Sequence, residues 1–436
     1  MSRRVALDGF VHPDFIPIAD VLRGVLEQYE GGAAVCVYHR GECVVDLWGG
    51  YRDRFGGLWR RDTMSPSFST TKGVASTVLH VLADRGLIEY DAHVADYWPE
   101  FAQAGKDTIT VRHVLSHQSG LHHIRRMVDR AERMLDWDYM IQAIERAAPD
   151  YEPGTRTGYH GLTYGYLVGE IVQRVTGKRF PQLVRELIAE PLGLDGMYIG
   201  APLDQLYRAA KLIWPDRGIF AAGQIGLGRW SGRELAETIE WPAWALQRLL
   251  DLVGVRFDLP SILDALMPRG ISHFDFGSED TLSVAIPAAN GLFTARSLAR
   301  MYAALAGGGA IDGVRLLSPE TLARATEVQS PVPGRLVIPF DMRWRLGYHG
   351  VFTTRGVPRH AFGHFGFGGS GAFADPRRDL AVGLIVNSGL GSPFGDWRIV
   401  RIGGTVLGCV EERRRRVQVF LPLPEPQTGR TQPTAA

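Results

Sequence analysis

Strand-like segments stand at the two ends of this 436-residue chain, and helical periodicity fills its middle. Residues 32–50, GAAVCVYHRGECVVDLWGG, hold two valine-rich runs on either side of Arg40-Gly41, a turn signal, and predict a β-hairpin. Far along the chain, HAFGHFGFGGSGAFADP and LAVGLIVNSG predict antiparallel strands joined by the turn DPRRD. The simplest architecture is one sheet built from both termini with a mostly helical lobe inserted, a discontinuous α/β protein of the α+β type. Residues 1–85 and 287–423 are expected to form the sheet domain and 86–286 the helical one. The Pro- and Thr-rich residues 424–436 are expected to be a disordered tail. A chain this long exceeds one ordinary core, and 45% apolar residues leave ample surface to bury.

Between the strands the apolar spacing is that of helices. Val74, Val78, Leu79, Leu82 and Ile88 mark a helix over 71–87 with Gly86 at its exit. Hydroxyls in SPSFST suit its N-cap and put Ser69 at or near its start. Thr110 is the expected cap of TVRHVLSHQSGL. DYMIQAIERAA and FPQLVRELIAEPLGL predict further helices, and Leu162–Gly177 predicts one closed by Gly177. Residues 200–285 are irregular and rich in Trp, Phe and Leu, as in EWPAWALQRLLDLVGVRF; they are candidates for an acyl-pocket wall or lid, or simply for core. ANGLFTARSLARMYAALAGGG predicts a helix running into a glycine stop.

The formal net charge is +1 with acids and bases interspersed, which argues against a nucleic-acid binder or an electrostatic membrane clamp. Cys36, Cys43 and Cys409 are too few and too odd in number for a disulfide framework and fit a reducing compartment. No apolar run follows the N-terminal arginines and none reaches membrane-spanning length. A cytoplasmic location is expected, with loose attachment to a membrane surface left open.

The chemistry starts at Ser69-Thr70-Thr71-Lys72. A serine hydroxyl is a weak nucleophile until a base takes its proton. Residues three apart on a helix share a face, so the lysine amine can reach the serine oxygen. Burial and the positive end of the helix both disfavour the ammonium form and leave an amine able to act as a base. A serine and an exposed lysine in a hydroxyl-rich cap would read the same way, but the chain holds only Lys72, Lys106, Lys178 and Lys211, which makes a chance match uncommon. Tyr159 sits in a glycine-flanked loop before a helix, where a phenol near an amine can relay a proton; Tyr164 and Tyr166 lie close by, and a tyrosine, Tyr159 included, is more often a packing residue than a catalytic one. GHFGFGGSGAFADP is a glycine-rich strand region. It allows close approach of the backbone, whose N–H groups could hold an oxyanion together with that of Ser69, or it forms a bulge or sheet corner.

Three motifs in this order, Ser69-Thr-Thr-Lys72, Tyr159-His160-Gly161 and His364-Phe365-Gly366, resemble the S-x-x-K, Y-x-N and K-T-G signature of serine β-lactamases and penicillin-binding proteins. Over roughly residues 15–410 the chain looks most like class C β-lactamase-like esterases, the family VIII carboxylesterases. The resemblance implies a β-lactamase/transpeptidase-like fold. It implies Ser69 as the acylated nucleophile, with Lys72 and Tyr159 as its activating pair. His364, Phe365, Gly366 and Phe367 would line the site, with the N–H groups of Phe367 and Ser69 as oxyanion hole. It implies no metal and no organic cofactor, and a small-molecule ester as the partner.

The departures point to the substrate. Gly161 stands where the lactamase pattern has Asn, His364 replaces Lys, and Phe365 replaces a hydroxyl residue. Histidine is only partly charged near neutral pH and Phe365 offers no hydrogen bond, so an anionic substrate is poorly served. An apolar site is permissive, which predicts broad turnover of short- to medium-chain acyl esters and weak lactam cleavage. A β-lactamase, a D-amino-acid peptidase or amidase, a non-catalytic acyl- or peptide-binding relative, and a Ser-His-Asp hydrolase using His364 are the alternatives. His117, His122 and His123 in SHQSGLHHIRR have no cysteine or acid at a spacing that completes a zinc site. G-x-S-x-G and Walker patterns are absent from the sequence, and the glycine-rich GFGGSG sits in a strand region with no strand-to-helix pattern, which argues against a phosphate-binding loop.

Overall fold

The computed structural model describes residues 5–214, 258–329, 335–338, 340–388 and 396–420. EWPAWALQRLLDLVGVRF and the C-terminal LPLPEPQTGRTQPTAA lie outside them. An antiparallel sheet forms from both parts of the chain, as the distribution of strand signals implies. Its strands are β1 (Leu7–Val11), β2 (Gly32–His39), β3 (Glu42–Gly50), β4 (His349–Gly350), β5 (Phe362–Phe365), β6 (Gly371–Asp375) and β7 (Leu380–Val386). They lie in the order β1-β3-β2-β7-β6-β5-β4. The seam between the two ends is the pairing of β7 with β2, in register from Leu380 with His39 to Val386 with Ala33.

Arg40 and Gly41 both take positive φ, 57° and 77°, the backbone a two-residue hairpin turn needs. In β2, Val35 and Val37 enter one core while Cys36 and Tyr38 enter the other, the period-two alternation of a strand buried on both sides. β7 is buried along its whole length, as its unbroken apolar run requires.

One face of the sheet is covered by α1 (Ile16–Gln28) and α6 (Trp397–Phe420). Phe15, Ile18, Leu22, Ile399, Ile402 and Val406 pack there with the sheet's valines. On the other face lie α2 (Thr70–Asp84) and α5 (Ala295–Ala306), in one core with the inserted region's α3 (Thr163–Thr176), while α4 (Leu259–Leu266) packs in a smaller cluster with Tyr159. Gly383 makes the close seating of α5 possible, since a Cβ there would stand 2.5 Å from Ala295 O. Gly177 closes α3 at φ 68°, and Thr110 caps its helix by accepting from His113 N–H. FPQLVRELIAEPLGL departs from a plain helix: Phe180–Val184 is α-helical and continues as a π-turn over Arg185–Ala189.

β1 and α6 carry weak sequence signals; α1, not among the expected helices, does have helical apolar spacing at Ile18, Leu22, Val25 and Leu26. β1 is largely exposed at a sheet edge. The segment that becomes α6 holds Gly403, Gly404 and Gly408, poor helix formers. Their reason is tertiary. A Cβ at Gly404 would overlap Thr354 Oγ1 at 1.8 Å, and one at Gly403 would stand 3.2 Å from the Thr353 methyl.

Candidate active site

α2 begins with a strained residue. Phe68 holds φ 44°, a left-handed backbone that costs a non-glycine residue about 1–2 kcal/mol. Its ring is seated against Trp214, Phe276 and Phe367, with centroids 6.4, 5.3 and 5.4 Å away. The turn presents Ser69 at the N-cap position, but with α-helical φ/ψ and no capping bond from its hydroxyl. Backbone carbonyls cap the helix instead. Thr70 N–H donates to Ser67 O, Thr71 N–H to Phe68 O and Lys72 N–H to Ser69 O. The Ser69 hydroxyl is thereby free to face other side chains.

Two of them meet it. Lys72 Nζ lies 3.0 Å from Ser69 Oγ, and Tyr159 OH donates to the same oxygen at 2.8 Å. Lys72 is fully buried and also donates to Gly161 O at 2.7 Å and Ala288 O at 3.0 Å. Among the described residues no carboxylate pairs with it, and burial holds its pKa well below the usual lysine range. Lys106 is a useful contrast. It is also buried, but its Nζ reaches three carbonyl oxygens, of Gln103, Glu145 and Ala147, at 2.6–2.7 Å. Three acceptors match the three N–H donors of an ammonium. Lys72 has two carbonyls and a hydroxyl, and because a hydroxyl can donate as well as accept, this set also accommodates a neutral amine with two N–H donors and one lone pair.

Tyr159 is held in a cluster of three rings, with Trp344 and His117 themselves 4.3 Å apart. It stacks on Trp344 at 5.6 Å and 12°, and His117 packs edge-on at 5.0 Å. Its loop is fixed by the parallel pairing of Thr157–Gly158 with Arg335–Leu336 and by His160 N–H donating to His117 Nδ1. Burial raises the phenol pKa far above its ordinary value, so Tyr159 is a neutral hydrogen-bond donor. Its neighbours face elsewhere: Tyr164 OH meets Ser76 Oγ and Tyr166 OH donates to Met134 O.

The third motif divides between the two sheet faces. His364 turns toward α2: a Cβ at Gly73 would stand 3.4 Å from the His364 Cβ. Burial first, then the neighbouring His349 and Lys72, hold its pKa well below 6.5, so it is neutral rather than partly charged. Phe365, expected among the site-lining residues, points the other way. Its side chain joins Phe373, Ile399 and Ile402 in the core under α6, because successive residues of a strand face opposite sides. Phe365→Ala is expected to cost about 3–5 kcal/mol of stability, read as a lowered urea midpoint. Gly366 lies against the start of α2, where a Cβ would meet Ser67 O at 2.3 Å and Thr70 Oγ1 at 2.9 Å. Thr70 Oγ1 donates to Ser370 O at 3.1 Å. Phe367 and Ser69 are the partly exposed residues of this junction.

Gly161 brings two features that the sequence could not reveal. Its backbone carbonyl, rather than a side chain, meets Lys72. A Cβ at this position would collide with Leu266 Cδ2 at 2.3 Å and Ala265 O at 2.7 Å, so α4 fills the space a side chain would need. The chain also assembles a candidate cation-binding group that sequence spacing did not complete. His122, His123 and Asp150 bring ligand atoms within 4.8 Å of one another. The Arg126 guanidinium donates to the same Asp150 carboxylate and pairs with Asp264 at 2.9 Å, so that carboxylate already has a cationic partner.

The model of the Beta-lactamase family matches residues 18–404. A curated relative, Esterase/beta-lactamase LipL from Mycobacterium tuberculosis, is 39% identical over 361 residues, covering 82% of this chain and 77% of that protein. Among solved structures, a family VIII carboxylesterase is 33% identical with a TM-score of 0.77, covering 93% of this chain and 100% of the other. A penicillin-binding protein homolog from Caulobacter crescentus is 34% identical with the same TM-score and the same coverage. No helix among the described residues is long and apolar enough to cross a membrane.

Proposed function

This chain belongs to the Beta-lactamase family, and from that premise we propose that it is a serine carboxylesterase acting on short- to medium-chain acyl esters through an acyl-enzyme on Ser69. One observation carries the proposal: a single hydroxyl oxygen, Ser69 Oγ, is met by a buried amine at 3.0 Å and a buried phenol at 2.8 Å.

In the resting site Lys72 donates its two N–H bonds to Gly161 O and Ala288 O and turns its lone pair to Ser69. The Ser69 O–H donates to that lone pair while the Tyr159 O–H donates to Ser69 Oγ. As Oγ attacks the ester carbonyl, its proton passes to Lys72, and the new ammonium balances the oxyanion. Backbone N–H groups of Ser69 and Phe367 receive that oxyanion. In support, neither N–H has an acceptor among the hydrogen bonds of the described residues, and Phe367 opens a turn of 3-10 helix, where N–H groups are left over. Tyr159 gives its proton to the departing alcohol and is reprotonated from Lys72. Water then attacks the acyl-enzyme by the same steps in reverse, releasing the acid.

Ester preference over lactams follows from what the second and third motif positions lack. His364 is neutral, the Phe365 side chain is in the core, and no side-chain amide fits at position 161. Nothing at these positions reads a carboxylate. The aromatic group of Phe68, Trp214, Phe276 and Phe367 beside Ser69 suits an apolar acyl chain. Lactam cleavage is the second reading, since the description of the Mycobacterium tuberculosis relative joins both activities.

The test compares p-nitrophenyl butyrate with a chromogenic cephalosporin on one preparation, with the fluorophosphonate-labelled residue located by mass spectrometry. The expected result is labelling at Ser69 and kcat/KM for the ester at least about 10²-fold above that for the lactam. A cephalosporin turned over faster than the ester would overturn the substrate assignment, and an unlabelled Ser69 would overturn the mechanism.

A further inference from the structure

The turn after β5 has its own anchor. Phe367–Gly369 forms a single 3-10 turn, with Gly368 at φ 84° and Gly369 at φ 100°. Gly366 N–H donates to Ser370 O at 2.8 Å, and Gly369 N–H to Gly366 O at 3.4 Å. Arg398, in the first turn of α6, is 1% exposed, and its Nη2 donates to Gly368 O at 2.5 Å. The same guanidinium is itself fixed. Nε and Nη2 donate to the two carboxylate oxygens of Asp396 at 2.7 and 2.9 Å, and its plane lies 4.5 Å over the Tyr29 ring at the end of α1. The fit is tight, since a Cβ at Gly369 would stand 2.5 Å from the guanidinium.

Arg398 thus lies on the α6 side of this turn, and Ser69 follows the segment against which Gly366 packs. A planar guanidinium held by a bidentate carboxylate has few orientations open to it. The carbonyl it binds is equally restricted. The Gly366 and Gly369 N–H groups are used within the turn, Thr70 Oγ1 donates to Ser370 O and the Phe367 ring packs on Phe68; Arg398 adds a charged contact to Gly368 O from the α6 side.

We infer that Arg398 is a positioning residue for ester hydrolysis: by holding Gly368 O it sets where Phe367 N–H meets the oxyanion that develops beside Ser69. The inference rests on the proposed serine mechanism and on Phe367 N–H as an oxyanion donor. It assigns Arg398 no contact with substrate. Misplacing a donor weakens its hydrogen bond in the transition state more than it weakens ground-state binding.

The experiment measures p-nitrophenyl butyrate kinetics for wild type, Arg398→Lys and Arg398→Ala, each normalised to the Ser69 sites that a fluorophosphonate labels. Normalisation removes any fraction that fails to fold. The expected result is a 10- to 100-fold fall in kcat (about the range for a displaced or lost oxyanion donor) with KM within about twofold. Affinity for butaneboronic acid, whose adduct with serine is tetrahedral, should fall in the same proportion. Added guanidinium should restore part of the Arg398→Ala rate. Gly369→Ala pushes a Cβ against the guanidinium from the turn without removing the charged pair, and should give the same kcat-only defect. Unchanged kcat per labelled site in the Arg398 variants, or an effect confined to KM, would overturn the inference. Ser69→Ala checks the serine mechanism separately. If wild type proves to cleave the cephalosporin instead of the ester, the same signature is read on that substrate, because both reactions develop an oxyanion.

Discussion

Ser69→Ala and Lys72→Met are each expected to lower ester turnover by about 10⁴-fold or more, because nucleophile and base act as a unit and losing either disables both. Methionine nearly matches the lysine chain in length and leaves the pocket filled, so the loss is chemical rather than steric. A Ser-His-Asp hydrolase built on His364 would tolerate Lys72→Met, and retained turnover would revive that alternative. The wild-type rate should rise with pH through the depressed pKa of Lys72 in the folded protein, since only the free amine can take the serine proton.

Lys72→Met also changes how stability depends on pH, and the sign follows from linkage. Between its folded pKa and the ordinary lysine value of 10.5, Lys72 is neutral in the native state and protonated in the unfolded one. The unfolded state binds the extra proton, so the contribution of Lys72 to stability rises with pH across that window. It reaches its full value above 10.5 and is constant below the folded pKa. The difference in urea midpoint between wild type and Lys72→Met should therefore move in favour of wild type from about pH 7 to about pH 9. A difference that stays flat would mean Lys72 keeps an ordinary pKa in the native state.

Tyr159→Phe separates the two proton transfers. The phenol is neutral and donates to Ser69 Oγ, which suits an acid for the leaving group rather than the base for the nucleophile. p-Nitrophenolate departs without a proton, whereas an alkoxide does not. The variant should keep p-nitrophenyl butyrate turnover within about tenfold of wild type and lose about 10²–10³-fold on ethyl butyrate. Equal losses on both esters would instead make Tyr159 a partner of the nucleophile. Tyr159 packs on Trp344 and His117 through its ring, which phenylalanine retains, so little stability should be lost.

Much of this molecule is legible in its sequence, and the reasons are local. The Arg40-Gly41 hairpin follows from φ preferences, α2 from apolar spacing, and the end of α3 from Gly177. Ser69 and Lys72 come together because residues three apart share a helical face, so sequence spacing alone puts them within reach. The buried strand β7 is visible as an apolar run.

What lies outside that reach depends on segments distant in the chain. α6 is written with glycines whose value appears only against Thr353 and Thr354. His122 and His123 meet Asp150 across a stretch of chain that no spacing rule spans. Phe365 reads as a site residue by its place in a motif, but the strand's alternation sends its ring into the core. Tyr159 is marked in the sequence by its glycine-flanked loop and its place in the second motif, but only the fold turns its phenol, and not those of Tyr164 or Tyr166, onto Ser69. The sequence determined which groups are present and which local backbone carries them. Only the tertiary structure decided that Lys72 is stripped of water, that Gly161 O and Ala288 O use its N–H bonds, and that Arg398 reaches the turn beside the nucleophile. Desolvation and the direction of a hydrogen bond are properties of surroundings assembled from the whole chain, and no short stretch of it encodes them.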